Sequence, residues 1–307
     1  MKGTFFSLSA AGCTAFMNLC LRKSSENSTP NHSPSGYLLV YYLVSFVLGI
    51  AFTVEIWKTS INYTMLCIGM AIGLINAALL FLTSYAIKEG PTGLTFAFQT
   101  GSTIFPGLFL YLLLGSDFGF SCSFLQLIGM GLVLIGLFLG TTKKAFGSSK
   151  TPSKWFKYIL GCVLLQAICL TIIQGRCVLF DYTGGSSDSF FSNFYNLTQA
   201  DDIWLIPGQF GISLFTAIVA CLWEHKTVST RELVCGSFGG ILNFATTTLI
   251  LLSTKVALPE EKGILFPCYA VGSLILCNIW STLLYKEPFN FKSNALCSLG
   301  IFAAVIK

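Results

Sequence analysis

Amide, guanidinium and phenol groups set inside long apolar runs are the side chains of this sequence best placed to do chemistry. A polar group in hydrocarbon is costly and normally faces the interior of a helix bundle. Asn76 and Asn243 hold the same register in two copies of one pattern, GxxxGxxN, within the apolar runs 64–87 and 232–254. Two such amides could line a binding site from opposite sides, or could hydrogen-bond between helices. Arg176 lies at the end of the run 156–179, with Gln174 two residues and Gln166 ten residues before it. A guanidinium there could grip a carboxylate or phosphate with two parallel N–H donors, or could snorkel from the helix end to the interface. Gln99, Thr100, Ser102 and Thr103 precede Pro106, and Pro267, Cys268 and Tyr269 occupy the matching part of a later run. A proline inside a span frees a carbonyl for polar neighbours or a ligand. Tyr85, Gln209, Thr246, Thr247, Asn278 and Trp280 complete the candidate lining. The expected substrate-binding set is Asn76, Asn243, Arg176, Gln99, Tyr85, Gln174, Tyr269 and Gln209.

Other chemistries lack their residues. No Asp or Glu stands in the middle of an apolar run: Glu55 is at an end, and Glu89, Asp117, Glu224 and Glu287 are at turns. The two histidines, His32 and His225, fall in separate loops, and most of the twelve cysteines sit in apolar runs without metal-ligand spacing. General acid–base or metal catalysis needs clustered ligands, so no enzyme activity, metal or cofactor is expected. Without a buried carboxylate, neutral, zwitterionic or anionic ligands are favoured over cations, and the matched Lys88 and Lys255 lean the same way. Gly129, Gly131 and Gly136 lack the strand-turn-helix setting of a nucleotide loop and read as close helix packing.

The elements that must position these residues follow from composition. Of 307 residues, 54% are hydrophobic, 14% aromatic and only 10% charged, and the mean hydropathy is +0.74. A soluble domain is about one quarter charged, so the chain is read as an all-α membrane protein with no nucleic-acid partner. Its apolar runs are 4–21, 37–57, 64–87, 93–114, 123–140, 156–179, 203–223, 232–254, 263–285 and 292–306, which makes ten expected transmembrane helices. The first run is closed by Arg22 and Lys23 with no cleavage site and is expected to stay as a helix. The loops after odd-numbered spans hold twelve of the eighteen basic residues, which predicts both termini outside and the 141–154 loop in the cytoplasm. Sequons stand at Asn27, Asn31, Asn62 and Asn196, of which at most two can be modified in this topology. Short loops are compatible with a bacterial inner membrane, and an organelle membrane stays open.

The runs repeat. Residues 66–88 and 233–255 align at an offset of 167, matching Leu66/Leu233, Gly69/Gly236, Gly73/Gly240, Asn76/Asn243, Ala78/Ala245 and Lys88/Lys255. Residues 101–129 and 272–300 align at an offset of 171, matching among others Gly101/Gly272, Ser102/Ser273, Phe118/Phe289 and Gly129/Gly300. The organisation expected is a first five-helix repeat over 1–140, a basic linker over 141–155 and a second repeat over 156–307. Five is odd, so the second repeat must be inverted in the membrane, an architecture that suits alternating access.

The segment Tyr85 to Gly140 (YAIKEGPTGLTFAFQTGSTIFPGLFLYLLLGSDFGF, then LQLIGMGLVLIGLFLG) and the segment Pro259 to Ile306 (FPCYAVGS, LLYKEPFNF, LCSLGIF) carry a family resemblance. The chain resembles the EamA-like ten-span branch of the drug/metabolite transporter superfamily. The Gly-acidic turn of that family stands here as Gly115-Ser116-Asp117 and as Tyr285-Lys286-Glu287. The long acidic loop from Asp181 to Asp202 departs from the branch and leaves a sugar-porter-like relative open. The resemblance implies a secondary transporter of a small organic metabolite, such as an amino acid, nucleotide-type compound or sugar. The alternative function is lipid movement or a non-transport scaffold. Membrane lipids are the other partners expected.

Overall fold

The computed structural model describes residues 2–25, 33–52, 60–115, 123–140, 152–181, 201–256, 265–286 and 291–305. The described residues form helices and turns, with no strand among them. The helices are α1 (Lys2–Ser24), α2 (Ser35–Phe52), α3 (Tyr63–Glu89), α4 (Thr92–Gly101), α5 (Phe105–Leu114), α6 (Phe124–Gly140), α7 (Pro152–Asp181), α8 (Leu205–Trp223), α9 (Thr230–Val256), α10 (Leu265–Tyr285) and α11 (Phe291–Val305). By length and composition, eight helices among the described residues can cross a membrane, α4 and α5 counting together as Thr92–Leu114. The fifth and tenth expected spans are the shorter helices α6 and α11, of 17 and 15 residues. The protein is therefore an all-α chain with the character of a multi-pass membrane protein. The fourth span is broken by a 3-10 turn at Ser102–Ile104, just ahead of Pro106, whose ring cannot donate to the preceding turn. Most of the linker expected over 141–155 lies outside the described residues, as do the sequons at Asn27, Asn31 and Asn196. Asn62 is the N-cap of α3, its Oδ1 accepting from Met65 N–H at 3.1 Å.

The helices pair between the two parts of the sequence more than within them. α1 packs on α9 and α10, α3 on α7 and α8, α2 on α8 and α9, α4 on α10 and α7, and α6 on α11. Glycines set the closeness of these pairs, because in lipid helices associate through close backbone approach and not through hydrophobic burial. In the α3–α8 seam, a Cβ on Gly69 would overlap the Leu205 carbonyl, one on Gly73 the Gln209 carbonyl, and one on Gly208 the Leu66 carbonyl. In the α9–α2 seam, a Cβ on Gly236 would stand 3.0 Å from the Tyr37 carbonyl and one on Gly240 2.5 Å from the Tyr41 carbonyl. Hydroxyls finish both seams alike: Ser213 Oγ donates to Gly73 O at 2.8 Å, and Ser45 Oγ donates to Gly240 O at 3.0 Å. At the α6–α11 crossing, a Cβ on Gly300 would lie 2.5 Å from the carbonyl of Gly129, the residue that the 171 offset matches to it.

Two turns are fixed by local chemistry. α8 ends in a Schellman motif, with Lys226 N–H bonded to Cys221 O at 3.1 Å, His225 N–H bonded to Leu222 O at 3.2 Å, and His225 left-handed at φ 49°. Four residues later Ser229 and Glu232 form a capping box at the start of α9, and Lys226 Nζ stands 2.7 Å from Glu232 Oε1. The α3–α4 turn is sealed by Trp155 of α7, fully buried, whose Nε1–H donates to Thr95 Oγ1 at 2.9 Å while the indole packs closely against Gly90. Gly90→Ala must push that ring out of a packed site, and overpacking of this kind costs about 1–3 kcal/mol. A thermal melt of the detergent-purified variant checks it, with Thr95→Val, which removes the acceptor hydroxyl at nearly constant volume, losing about 1–3 kcal/mol because the buried Trp155 N–H loses this acceptor.

Candidate functional site

Two polar clusters lie in the interior. In the first, Thr14 of α1 shares a hydrogen bond of 2.9 Å with the Tyr269 hydroxyl of α10 and stands 3.4 Å from Thr246 Oγ1 of α9. One turn along α1, Asn18 Nδ2 donates to Cys277 Sγ at 3.7 Å. In the second, Thr83 Oγ1 of α3 donates to Leu79 O at 2.8 Å and stands 3.5 Å from both Gln99 Oε1 of α4 and Cys162 Sγ of α7. The first cluster thus joins α1 to α9 and α10, and the second joins α7 to α3 and α4. Thr14, Thr83 and Tyr269 are buried, and Gln99 is half-buried. Three hydroxyls near these residues along the chain, on Ser84, Thr103 and Thr248, are buried with no hydrogen-bond partner among the described residues, as is Gln209 Oε1 in the α3–α8 seam. Such a lining can position hydroxyl, amide or carboxylate groups. It offers no acid–base pair, and among the described residues no three His, Cys, Asp or Glu side chains gather around a point that could hold a metal.

The other expected residues fall in three different places. Asn243 is buried in the α9–α2 seam and donates to Ser45 Oγ at 3.0 Å, which is the helix-joining role. Asn76 is half-buried on α3, one turn beyond Gly73, so the two amides belong to separate seams. Gln209 lies in the α3–α8 seam, its backbone carbonyl against Gly73. Tyr85 is half-buried at the end of α3, stacked on Tyr158 with centroids 5.8 Å apart and with Lys88 Nζ 5.5 Å above its ring. Gln174 is half-buried on α7.

Arg176 corrects its snorkelling reading, because it is 2% exposed and does not reach toward the interface. It holds a carboxylate with two donors, as its chemistry suggested, but the carboxylate belongs to this chain. Nε donates to Asp202 Oδ1 at 3.0 Å and Nη2 to Asp202 Oδ2 at 3.2 Å, while Nη1 donates to the Ile173 carbonyl. Thr254 Oγ1 is 3.5 Å from Nη2, and Lys255 Nζ is 3.7 Å from Asp202 Oδ2. The cluster ties the end of α7, the 3-10 turn Asp201–Trp204 ahead of α8, and the end of α9. Sequence reasoning grouped Asp202 with an acidic loop and missed this role. It also missed Thr14, Thr83 and Cys162, whose small side chains carry no pattern of their own. Ser45 and Ser213 were missed as well, although their separation of 168 residues is close to the 167-residue offset of the repeat.

No protein-family model matches the sequence, and no curated protein matches it. The fold does have a counterpart: a solved structure described only as "Crystal structure of protein" is similar over 98% of this chain and 94% of that chain, with a TM-score of 0.58 and 13% sequence identity. Likeness at that identity speaks of the fold, and it extends over nearly the whole of both chains.

Proposed function

We propose that the chain is a secondary transporter that moves a small organic metabolite across a membrane by alternating access, built as two inverted five-helix repeats. The observation that carries the reading is the exchange of partners between the two interior clusters. One takes its residues from α1, α9 and α10, the other from α7, α3 and α4. Matching α1 with α7, α3 with α9, and α4 with α10 turns either set into the other. The two glycine seams support the same exchange, and so does the Gly129–Gly300 contact between residues the repeat makes equivalent. Two halves related in this way can trade conformations, opening a shared site first to one side and then to the other. The Arg176–Asp202–Lys255 cluster ties three segments at one end and suits a contact that forms when that end is shut. Hydroxyl and amide lining favours a neutral, zwitterionic or anionic ligand that can accept hydrogen bonds. The EamA-like branch of the drug/metabolite transporters, in a bacterial inner membrane, is the assignment we favour.

The test is a thermal-shift screen of the detergent-purified protein against amino acids, nucleotides, nucleotide sugars, sugars and organic acids. A ligand at a hundred times its dissociation constant stabilises by about 2.7 kcal/mol. The expected result is a stabilising class whose effect disappears in Tyr269→Phe and in Gln99→Ala, with the ligand-free melts of both variants near that of the parent. Counterflow of the same compound in proteoliposomes should then depend on both residues. Well-folded protein stabilised by no class, or a hit indifferent to both variants, overturns the reading.

A further inference from the structure

Away from the interior clusters, α10 and α11 enclose a groove of about 470 Å³ on the outside of the bundle. Its walls are Leu274, Ile275, Ile279 and Leu283 on α10, and Phe291 and Ala295 on α11. Leu283 and Phe291 are 73% and 71% exposed, so in a membrane this face meets lipid. The groove has a polar floor at one point, where Asn278 Nδ2 donates to Asn294 Oδ1 at 2.8 Å and both residues are buried. From Leu274 to Leu283 the wall runs about 14 Å at 1.5 Å per residue. That is close to the hydrocarbon depth of one leaflet, about half of 30 Å. Two lysines stand at one end of the groove, with Glu287 between them in sequence: Lys286 follows Leu283 by three residues, Lys292 adjoins Phe291, and both lysines are exposed. These are also two of the basic residues that the loop count assigns to the cytoplasmic face, where anionic lipids concentrate.

We propose that this groove binds an anionic phospholipid, one acyl chain lying between α10 and α11 and the phosphate held by Lys286 and Lys292. The apolar wall, its length and the charge at its rim each match a different part of that ligand. The site is independent of the interior clusters and holds whether or not the chain transports a metabolite.

The experiment is native mass spectrometry of the full-length protein released from mixed micelles containing phosphatidylglycerol and phosphatidylcholine. The parent should retain phosphatidylglycerol over phosphatidylcholine by on the order of tenfold. The double variant Lys286→Gln/Lys292→Gln should keep a bound lipid but lose the head-group preference. Ala295→Trp, which fills the groove, should retain neither lipid, with a melt in matched detergent showing that it folds; if it does not fold, the lysine variant decides. Equal retention of both lipids by the parent, or a preference that survives in the lysine variant, overturns the proposal. So does a dimer in delipidated protein that phosphatidylglycerol fails to dissociate, since a second copy would then own the groove.

Discussion

Asp202→Asn should lower stability by about 3–5 kcal/mol, because it leaves the guanidinium of Arg176 buried with its neutralising charge removed. Detergent-solubilised protein should then melt several degrees lower, since 1 kcal/mol shifts the midpoint by about 2–4 °C in a chain of roughly 150–250 residues and by less in a longer one. The sign depends on burial. Both partners are 3% exposed or less, so water cannot replace the lost carboxylate, whereas a surface pair of the same geometry would be worth under about 1 kcal/mol. Lys255 supplies the contrast within the same cluster. It is about a third exposed and 3.7 Å from Asp202, so Lys255→Gln should move the melt by no more than a couple of degrees. Removing both charges, in Arg176→Met/Asp202→Leu, should recover most of the loss, since a buried ion pair replaced by apolar groups of similar size is often neutral. A single Asp202→Asn variant that melts like the parent would show that the ion pair does not hold these three segments together.

Gly73→Leu should be more damaging still. The atoms a side chain would meet there are the Gln209 carbonyl and the Ile212 Cγ2, and the first is backbone that cannot rotate away. α3 and α8 would have to separate along their whole seam, giving up contacts that packing in lipid depends on. The expected cost exceeds about 4 kcal/mol, the range reserved for disruptions of this kind. Size-exclusion chromatography of a fluorescent fusion should show the monodisperse peak lost. Gly240→Leu, facing the Tyr41 carbonyl at 2.5 Å, should fail in the same way, because it addresses the same contact on the α9–α2 side. Gly12→Ala and Gly131→Ala should behave as the parent does, since a Cβ at either site meets nothing within 4 Å. If Gly73→Leu remains monodisperse while those controls are unaffected, the seam is not as close as described.

The glycines that matter were legible in the sequence because they recur. Gly69, Gly73, Gly236 and Gly240 mark one helical face twice, and that face is where α3 meets α8 and α9 meets α2. Helix ends were legible where charge stands, as at Lys88 and Lys255. The same repeat drew attention to Asn76 and Asn243, but Asn243 follows the glycines at the spacing that keeps it in the seam and spends its amide on Ser45. The partner of Arg176 was illegible for a different reason. Asp202 is 26 residues further along the chain, and nothing in the spacing says which of several acids returns to the helix end. Thr14 and Thr83 were illegible because a threonine in an apolar helix can bond its own backbone, as Thr83 does to Leu79, and gives no sign of which cross-helix neighbour it also reaches. The break at Ser102–Ile104 was half legible: Pro106 announces a disturbance, and the structure puts it in the preceding turn.

The pairing of early helices with late ones bears on how the chain is made. Thr14 and Thr246 are separated by 232 residues, so α1 leaves the ribosome long before its neighbours α9 and α10 exist. At about 5–20 residues per second, that interval is about 10–50 s. Through it, the seam of α1 sits in lipid without the helices that will cover it, while α3 waits only until α7 and α8 emerge, and a ribosome that stops after residue 140 leaves a segment with most of its partner surfaces missing. Biogenesis must therefore shelter the first helices until the last arrive, and truncated products are natural targets for membrane quality control.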